Sequence, residues 1–148
     1  MGGALLSTER LNRILQLHEV EGGVLLGDYQ RHTEAQGWFF PPDPTSRNDC
    51  SVGGAIACNA SGARTYRYGP TRPWVQAITF VDPTGVVREA DRSTPVPWPV
   101  PQWEEPAIKT AAGYFPATNL LDLVIGSEGT LGVVIAATLR LIPNPPQV

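Results

Sequence analysis

Three prolines within four residues, Pro41-Pro42-Asp43-Pro44, follow directly on the aromatic run Trp38-Phe39-Phe40. Each proline ring fixes φ and removes an amide donor, so neither an α-helix nor a central strand can pass through this stretch. A rigid extended loop is expected, with regular structure built on either side of it. The same punctuation recurs between Ser93 and Pro106, where five prolines alternate with Trp98, Trp103 and acidic residues, and an extended surface loop is expected there too. Fifteen glycines and fifteen prolines accompany 42% hydrophobic residues in a chain of 148, which reads as one loop-rich globular domain and not as a disordered segment.

Between these loops the patterns are short. Ser7 ahead of Leu11, Ile14 and Leu15 predicts a short capped helix. Gly22 to Gly27 reads as a short strand, and Asp28 as the cap of a helix from Tyr29 to Gln36 closed by Gly37. Val75 to Val81 and Val86 to Glu89 are β-rich runs joined by Asp82-Pro83-Thr84-Gly85, whose residue order suits a type I turn, so a hairpin is expected. Asn119 to Val124 predicts a brief helix, Gly126 to Thr130 a turn, and Leu131 to Ile142 a strand closed by Pro143. The fold class is α+β, a mixed sheet with flanking short helices.

Charge narrows the function. Eleven basic against fourteen acidic residues leave a net charge of -3, which is no footprint for nucleic acid or an anionic membrane surface. No run reaches the roughly eighteen apolar residues of a membrane span. Cys50 and Cys58 stand apart without metal-binding spacing, so no metal and no disulfide framework are expected, and a cytoplasmic location fits. No P-loop, HExxH, nucleophile elbow or dinucleotide GxGxxG pattern is present.

Four features carry possible chemistry, each with a plainer reading beside it. In Cys50 to Gly62, nearly all Ser, Gly, Ala and Cys, glycine amides at a helix start can approach a phosphate or a ring edge; the alternative is a small-residue helix packed tightly on a neighbour. In Gly126-Ser127-Glu128-Gly129-Thr130-Leu131-Gly132, turn amides and Glu128 can hold a ribose or an adenine edge; a plain tight turn explains the pattern equally. Lys109, the single lysine, lies near Tyr114, and either can meet an anionic substrate or a ring carbonyl; the alternative is a solvated lysine and a packed tyrosine. His18 and His32 have no convergent partner in the spacing and read as surface histidines.

Phe39 to Arg72, the hairpin Val75 to Val87, Ile108 to Tyr114 and Asp122 to Val134 occur in an order that resembles the flavin-binding domain of the vanillyl-alcohol oxidase/PCMH superfamily, in the branch of the FAD-linked D-lactate dehydrogenases and glycolate oxidase D-subunits. The resemblance implies a PCMH-type FAD-binding domain with FAD as cofactor and, in the complete enzyme, two-electron oxidation of a small 2-hydroxy acid with electrons passed to an acceptor. It maps flavin contacts onto Pro42, Asp43, Pro44, Ser46, Gly53, Gly54, Asn59, Ser61 and Gly62, and onto Glu128, Gly129, Gly132, Val133 and Val134 around the adenosine half. Lys109 and Tyr114 fall near the active-site edge as catalytic candidates. Residues 1–148 correspond to the latter part of such a domain, so the pyrophosphate-loop subdomain and the substrate cap are expected from further sequence or a partner chain. A non-catalytic interaction module that keeps the flavin-domain scaffold is the rival reading.

Overall fold

The computed structural model describes residues 5–104 and 114–145. In chain order the elements are β1 (Glu19–Glu21), α1 (Leu26–Glu34), β2 (Trp38–Phe39), α2 (Val52–Ala57), α3 (Thr65–Tyr68), a 3-10 turn (Arg72–Trp74), β3 (Val75–Val81), β4 (Val87–Asp91), α4 (Leu120–Val124), β5 (Val133–Leu139) and β6 (Ile142–Pro143). One antiparallel sheet runs β1-β5-β3-β4 and a second pairs β2 with β6. The class is α+β, as the sequence predicts.

Strand alternation divides the four-stranded sheet into two unlike faces. Val20, Ala137, Ile78 and Ala90 stand in register across all four strands and are all buried. This row faces the core, which it shares with Leu26 and Tyr29 of α1, Phe40, Val52 and Ile56 of α2, and Leu121 and Val124 of α4. Tyr29 is fully buried, and its hydroxyl donates to the Leu17 carbonyl at 3.0 Å, so its one polar atom is satisfied.

The hairpin forms as expected, with β4 running on to Asp91. The Gly85 amide donates to the Asp82 carbonyl at 2.9 Å, and Gly85 adopts φ +85, the left-handed conformation that closes a type I turn into a hairpin. The Asp82 carboxylate accepts from Thr84 and Arg88, whose hydrogen bonds hold it well below its ordinary range.

Four expectations need correction. Residues 7–15 form no helix: Glu21 and Gly23 donate their amides to the carbonyls of Arg13 and Leu11, and Ile14 bridges Val20, so pairing against β1 overrides the local helical spacing. The strand expected over Gly22 to Gly27 lies one step earlier, at β1, because Val24 turns back onto the Glu21 carbonyl. Helix α1 begins at Leu26, with Asp28 inside its first turn; the amides of Leu26 and Gly27 go to the carbonyls of Cys50 and Arg47, so the proline-rich loop caps the helix instead. The strand expected from Leu131 to Ile142 is split, because the Arg140 amide leaves the ladder for the Trp74 carbonyl and the chain crosses to pair with β2.

Arg72 ties the two halves together. Its guanidinium donates to the carbonyls of Asp122 and Ile125 and to the Asp122 carboxylate at 3.2 Å, and it stacks 3.9 Å from the centre of the Phe115 ring. Burial alone would raise the Asp122 carboxyl; hydrogen bonds from Asn119 and Arg92 and the charges of Arg92 and Arg72 outweigh it and hold the group below its ordinary range. A carboxyl depressed in the folded state stabilises the fold above its unfolded value of about 3.9, and that contribution is lost as the pH falls through the folded value. Asp122→Ala is expected to cost about 2–4 kcal/mol in urea unfolding at neutral pH. The gap to the parent chain should narrow below about pH 3; an unchanged gap would remove the charge from this account.

Candidate functional site

Helix α2 is built where the small-residue stretch lets backbone meet backbone. Ser51 caps it, its hydroxyl accepting from the Gly54 amide at 3.1 Å. The amides of Val52 and Gly53 donate to the carbonyls of Val24 and Gly22, both at 2.8 Å. The first amides of α2 are thus used inside the fold.

The two glycines of α2 then divide the two readings of this stretch. A Cβ on buried Gly53 would lie 2.9 Å from both the Gly22 and Val134 carbonyl oxygens, so this glycine serves close packing. Gly54 points outward, and a Cβ there would approach only the Ser51 hydroxyl, at 3.2 Å. Its smallness is not demanded by packing. Cys58, one turn on, is also exposed. The outer face of α2 is therefore flat and nearly free of side chains.

The glycine-rich turn closes in on α2. The amides of Gly126 and Glu128 donate to the carbonyls of Ile56 and Ala57, at 3.1 and 2.9 Å, docking the glycine-rich turn on the helix's C-terminal half. Among the described residues, Asn59 and Glu128 are the non-glycine residues with positive φ, 44 and 53, and both lie at this junction. Such conformations cost energy unless their surroundings hold them, and they concentrate at functional sites. Asn59 is held by its own side chain, whose Oδ1 accepts the Arg72 amide at 2.9 Å. Further along the chain, Gly62 passes so near the proline-rich loop that a Cβ would lie 1.7 Å from the Asp43 carbonyl oxygen.

Arg64 stands at that crossing. Its guanidinium lies 4.8 Å from the centre of the Phe39 ring and 3.5 Å from the Asp43 carboxylate, which also accepts from Arg47 at 2.9 Å. The Arg64 Nη1 atom is buried and has no hydrogen-bond partner among the described residues. A buried cationic donor of this kind suits an anionic ligand, and the open face of α2 at Gly54 suits a flat one; FAD has both properties.

The mapped residues therefore fall into groups. Asp43, Gly62 and Arg64 meet at one crossing; Gly54, Asn59, Glu128 and Gly129 surround the outer and C-terminal parts of α2; Pro42 and Pro44 are buried and Ser61 partly so. Ser46 is exposed on the loop that caps α1, and Gly132, Val133 and Val134 belong to the start of β5, where Gly132 packs on Val81. Tyr114 is exposed and its hydroxyl lies 2.8 Å from that of Thr130, which ties it to the same turn. Lys109 lies outside the described residues. Burial holds the Cys50 thiol above its ordinary range, which suits packing and not nucleophilic attack. No cluster of three or more metal-ligating side chains occurs among the described residues.

Sequence reasoning missed Arg64 and Arg72 as individual residues. The signal was present: three arginines within nine positions, Arg64, Arg67 and Arg72, interleaved with Tyr66 and Tyr68 in a chain whose charge otherwise carries no pattern.

Comparison with known proteins shows the family of the chain. The chain is 38% identical over 153 residues to a D-lactate dehydrogenase of Anaerostipes hadrus, covering 99% of this chain and 28% of that protein. It is 37% identical over 151 residues to a D-2-hydroxyglutarate dehydrogenase of Xanthomonas citri, covering 98% of this chain and 28% of that protein. It is 34% identical over 151 residues to glycolate oxidase subunit GlcD of Bacillus subtilis, covering 97% and 28%. The chain thus spans little more than a quarter of the length of these relatives. A solved structure of alkyldihydroxyacetonephosphate synthase shares the fold with a TM-score of 0.68 at 21% identity, over 94% of this chain and 23% of that one. The family model described as FAD binding domain matches residues 1–91, more than half of the 148 residues, and the chain belongs to that family, with FAD as its cofactor.

Proposed function

We propose that this chain supplies the FAD-holding part of an oxidoreductase that acts on a small 2-hydroxy acid of the D-lactate or glycolate type and passes the electrons to a separate acceptor. The remaining flavin-domain segment and the substrate-binding part come from further sequence or from a partner chain. The names of the relatives, two dehydrogenases of D-2-hydroxy acids and one glycolate oxidase subunit, support the substrate class and the possibility of a partner. The observation that supports the reading is the bare outer face of α2 at Gly54, with the turn around Glu128 docked on the C-terminal carbonyls of the same helix.

The chemistry supplied by bound FAD is a two-electron oxidation of the hydroxyl-bearing carbon. The chain's own contribution is positional. Gly54 permits a flat surface to lie against α2, Arg64 offers positive charge to an anionic group, and the strained Asn59 and Glu128 fix the path of the backbone that borders the ligand. Lys109 and Tyr114 are the proposed contacts at the substrate edge. A cytoplasmic location belongs to the same reading, supported by two free cysteines and by the lack of any described helix long and apolar enough to cross a membrane.

Titration of the purified chain with FAD, followed by flavin fluorescence with FMN and ADP as controls, tests this. Saturable binding that prefers FAD is expected; a folded chain that binds none would leave the scaffold as a flavin-free interaction module. Gly54→Val should weaken FAD binding by about tenfold or more while the circular dichroism spectrum stays that of the parent. Gly53→Val, one residue away, should instead destabilise the fold, since its side chain would enter two backbone carbonyls. A Gly54→Val chain with parental affinity would remove α2 from the site.

A further inference from the structure

The face of the four-stranded sheet turned away from α2 carries a regular pattern. Glu19, Thr138, Ala77 and Asp91 stand in register across β1, β5, β3 and β4; the next row on this face is Glu21, Ala136, Thr79 and Glu89. Each row begins and ends with a carboxylate and has only alanine and threonine between. The two rows and their neighbours line an open concavity of about 560 Å³, bordered at the β1 edge by the exposed side chain of Leu15.

The four carboxylates are not equivalent. Glu21 is paired with Arg13 at 2.6 Å, and the Asp91 carboxylate accepts from the hydroxyls of Ser93 and Thr94 at 2.7 and 3.0 Å. Glu19 and Glu89 make no side-chain hydrogen bond or ion pair among the described residues. They lie on opposite edge strands and in different rows. The small-residue floor is therefore flanked on both sides by uncompensated negative charge.

Geometry selects the shape that fits. Neighbouring strands lie about 4.8 Å apart, so the outer strands are about 14 Å apart. An α-helix with its side chains is about 10–12 Å across and fits between the acidic edges with its axis along the strands. Rows on one face repeat about every 6.8 Å, close to the roughly 6 Å rise between helix positions i and i+4. Floor residues no larger than threonine allow close approach. A second copy of this chain is disfavoured, since a two-fold contact of this face with itself would set its acidic edges against one another.

We propose that this face is the docking site of a basic amphipathic helix on a partner polypeptide, with an apolar stripe on Ala77, Thr79, Ala136 and Thr138 and lysines or arginines on both flanks of that stripe, one flank reaching Glu19 and the other Glu89. The surface lies across the sheet from the FAD-binding face and stands on observations independent of it.

The test is a titration of the isotopically labelled chain, with FAD present, by a synthetic helical peptide of about 15 residues. The peptide carries an alanine-leucine stripe flanked by lysines at i, i+4 spacing, and the control has glutamates in their place. Amide shifts confined to Ala77, Thr79, Ala136, Thr138 and their neighbours are expected with the basic peptide, weakening as salt is raised. Affinity for the acidic peptide should be at least about fivefold lower. The double variant Glu19→Lys, Glu89→Lys, changed only at solvent-facing side chains, should reverse the preference. Equal binding of both peptides, shifts elsewhere, no binding, or floor signals that move with the concentration of the chain alone would each overturn the proposal, the last by assigning the face to a second copy.

Discussion

The carbonyl of Val134 is the point on which the arrangement turns. A Cβ on Gly22 would lie 2.2 Å from its oxygen and one on Gly53 would lie 2.9 Å from it, so the end of β1, the start of α2 and the strand β5 can meet there only because two residues have no side chain. Gly53 also donates its amide to the Gly22 carbonyl, which seals the junction with a hydrogen bond. With α2 pinned at this distance, its C-terminal carbonyls at Ile56 and Ala57 are the ones that receive the amides of Gly126 and Glu128. The shape of the outer face of α2 is thus set by main-chain contacts, and its side chains finish a frame that already exists.

Charge then fixes what packing leaves loose. Asn59 would be costly in its left-handed conformation, and its side chain is bound to the amide of Arg72, while the Arg72 guanidinium caps carbonyls at Asp122 and Ile125 near the end of α4. One arginine therefore couples the strained exit of α2 to the helix that precedes the glycine-rich turn. Arg64 has the opposite character. It is oriented by an aromatic ring and a carboxylate but retains a buried nitrogen with no hydrogen-bond partner among the described residues.

What the sequence made legible follows from the range of the forces involved. The hairpin was readable because Asp82, Pro83 and Gly85 determine it within a few residues, and α4 because Asn119 caps it locally. The helix expected over residues 7–15 had the right spacing, yet its amides and carbonyls were claimed by β1, a contact that spacing does not reveal. The same holds for α1, whose cap is supplied by carbonyls of residues 47 and 50 and not by the adjacent Asp28. At the site, the glycines were visible as a class, but their division into packing and open positions depends on what lies opposite each missing Cβ. Gly53 and Gly54 are identical in sequence terms and differ only in the direction they face.

The sheet itself turns this division of labour into an asymmetry. Its inner row, Val20-Ala137-Ile78-Ala90, is apolar from edge to edge and shares the core with α1, α2 and α4. One residue out of phase, the outer rows keep small side chains at the centre and place carboxylates on the edge strands. A one-residue slip of register would exchange the two faces, burying acids and exposing the core, so the pairing is held firmly by solvation alone. Carboxylates on β4 also discourage that strand from pairing with a neighbouring sheet, while the far side of β1 is already paired with residues 11–15. The outer face is thereby protected from promiscuous contact while remaining open at its floor, a combination that admits a partner of opposite charge and rejects one of like charge.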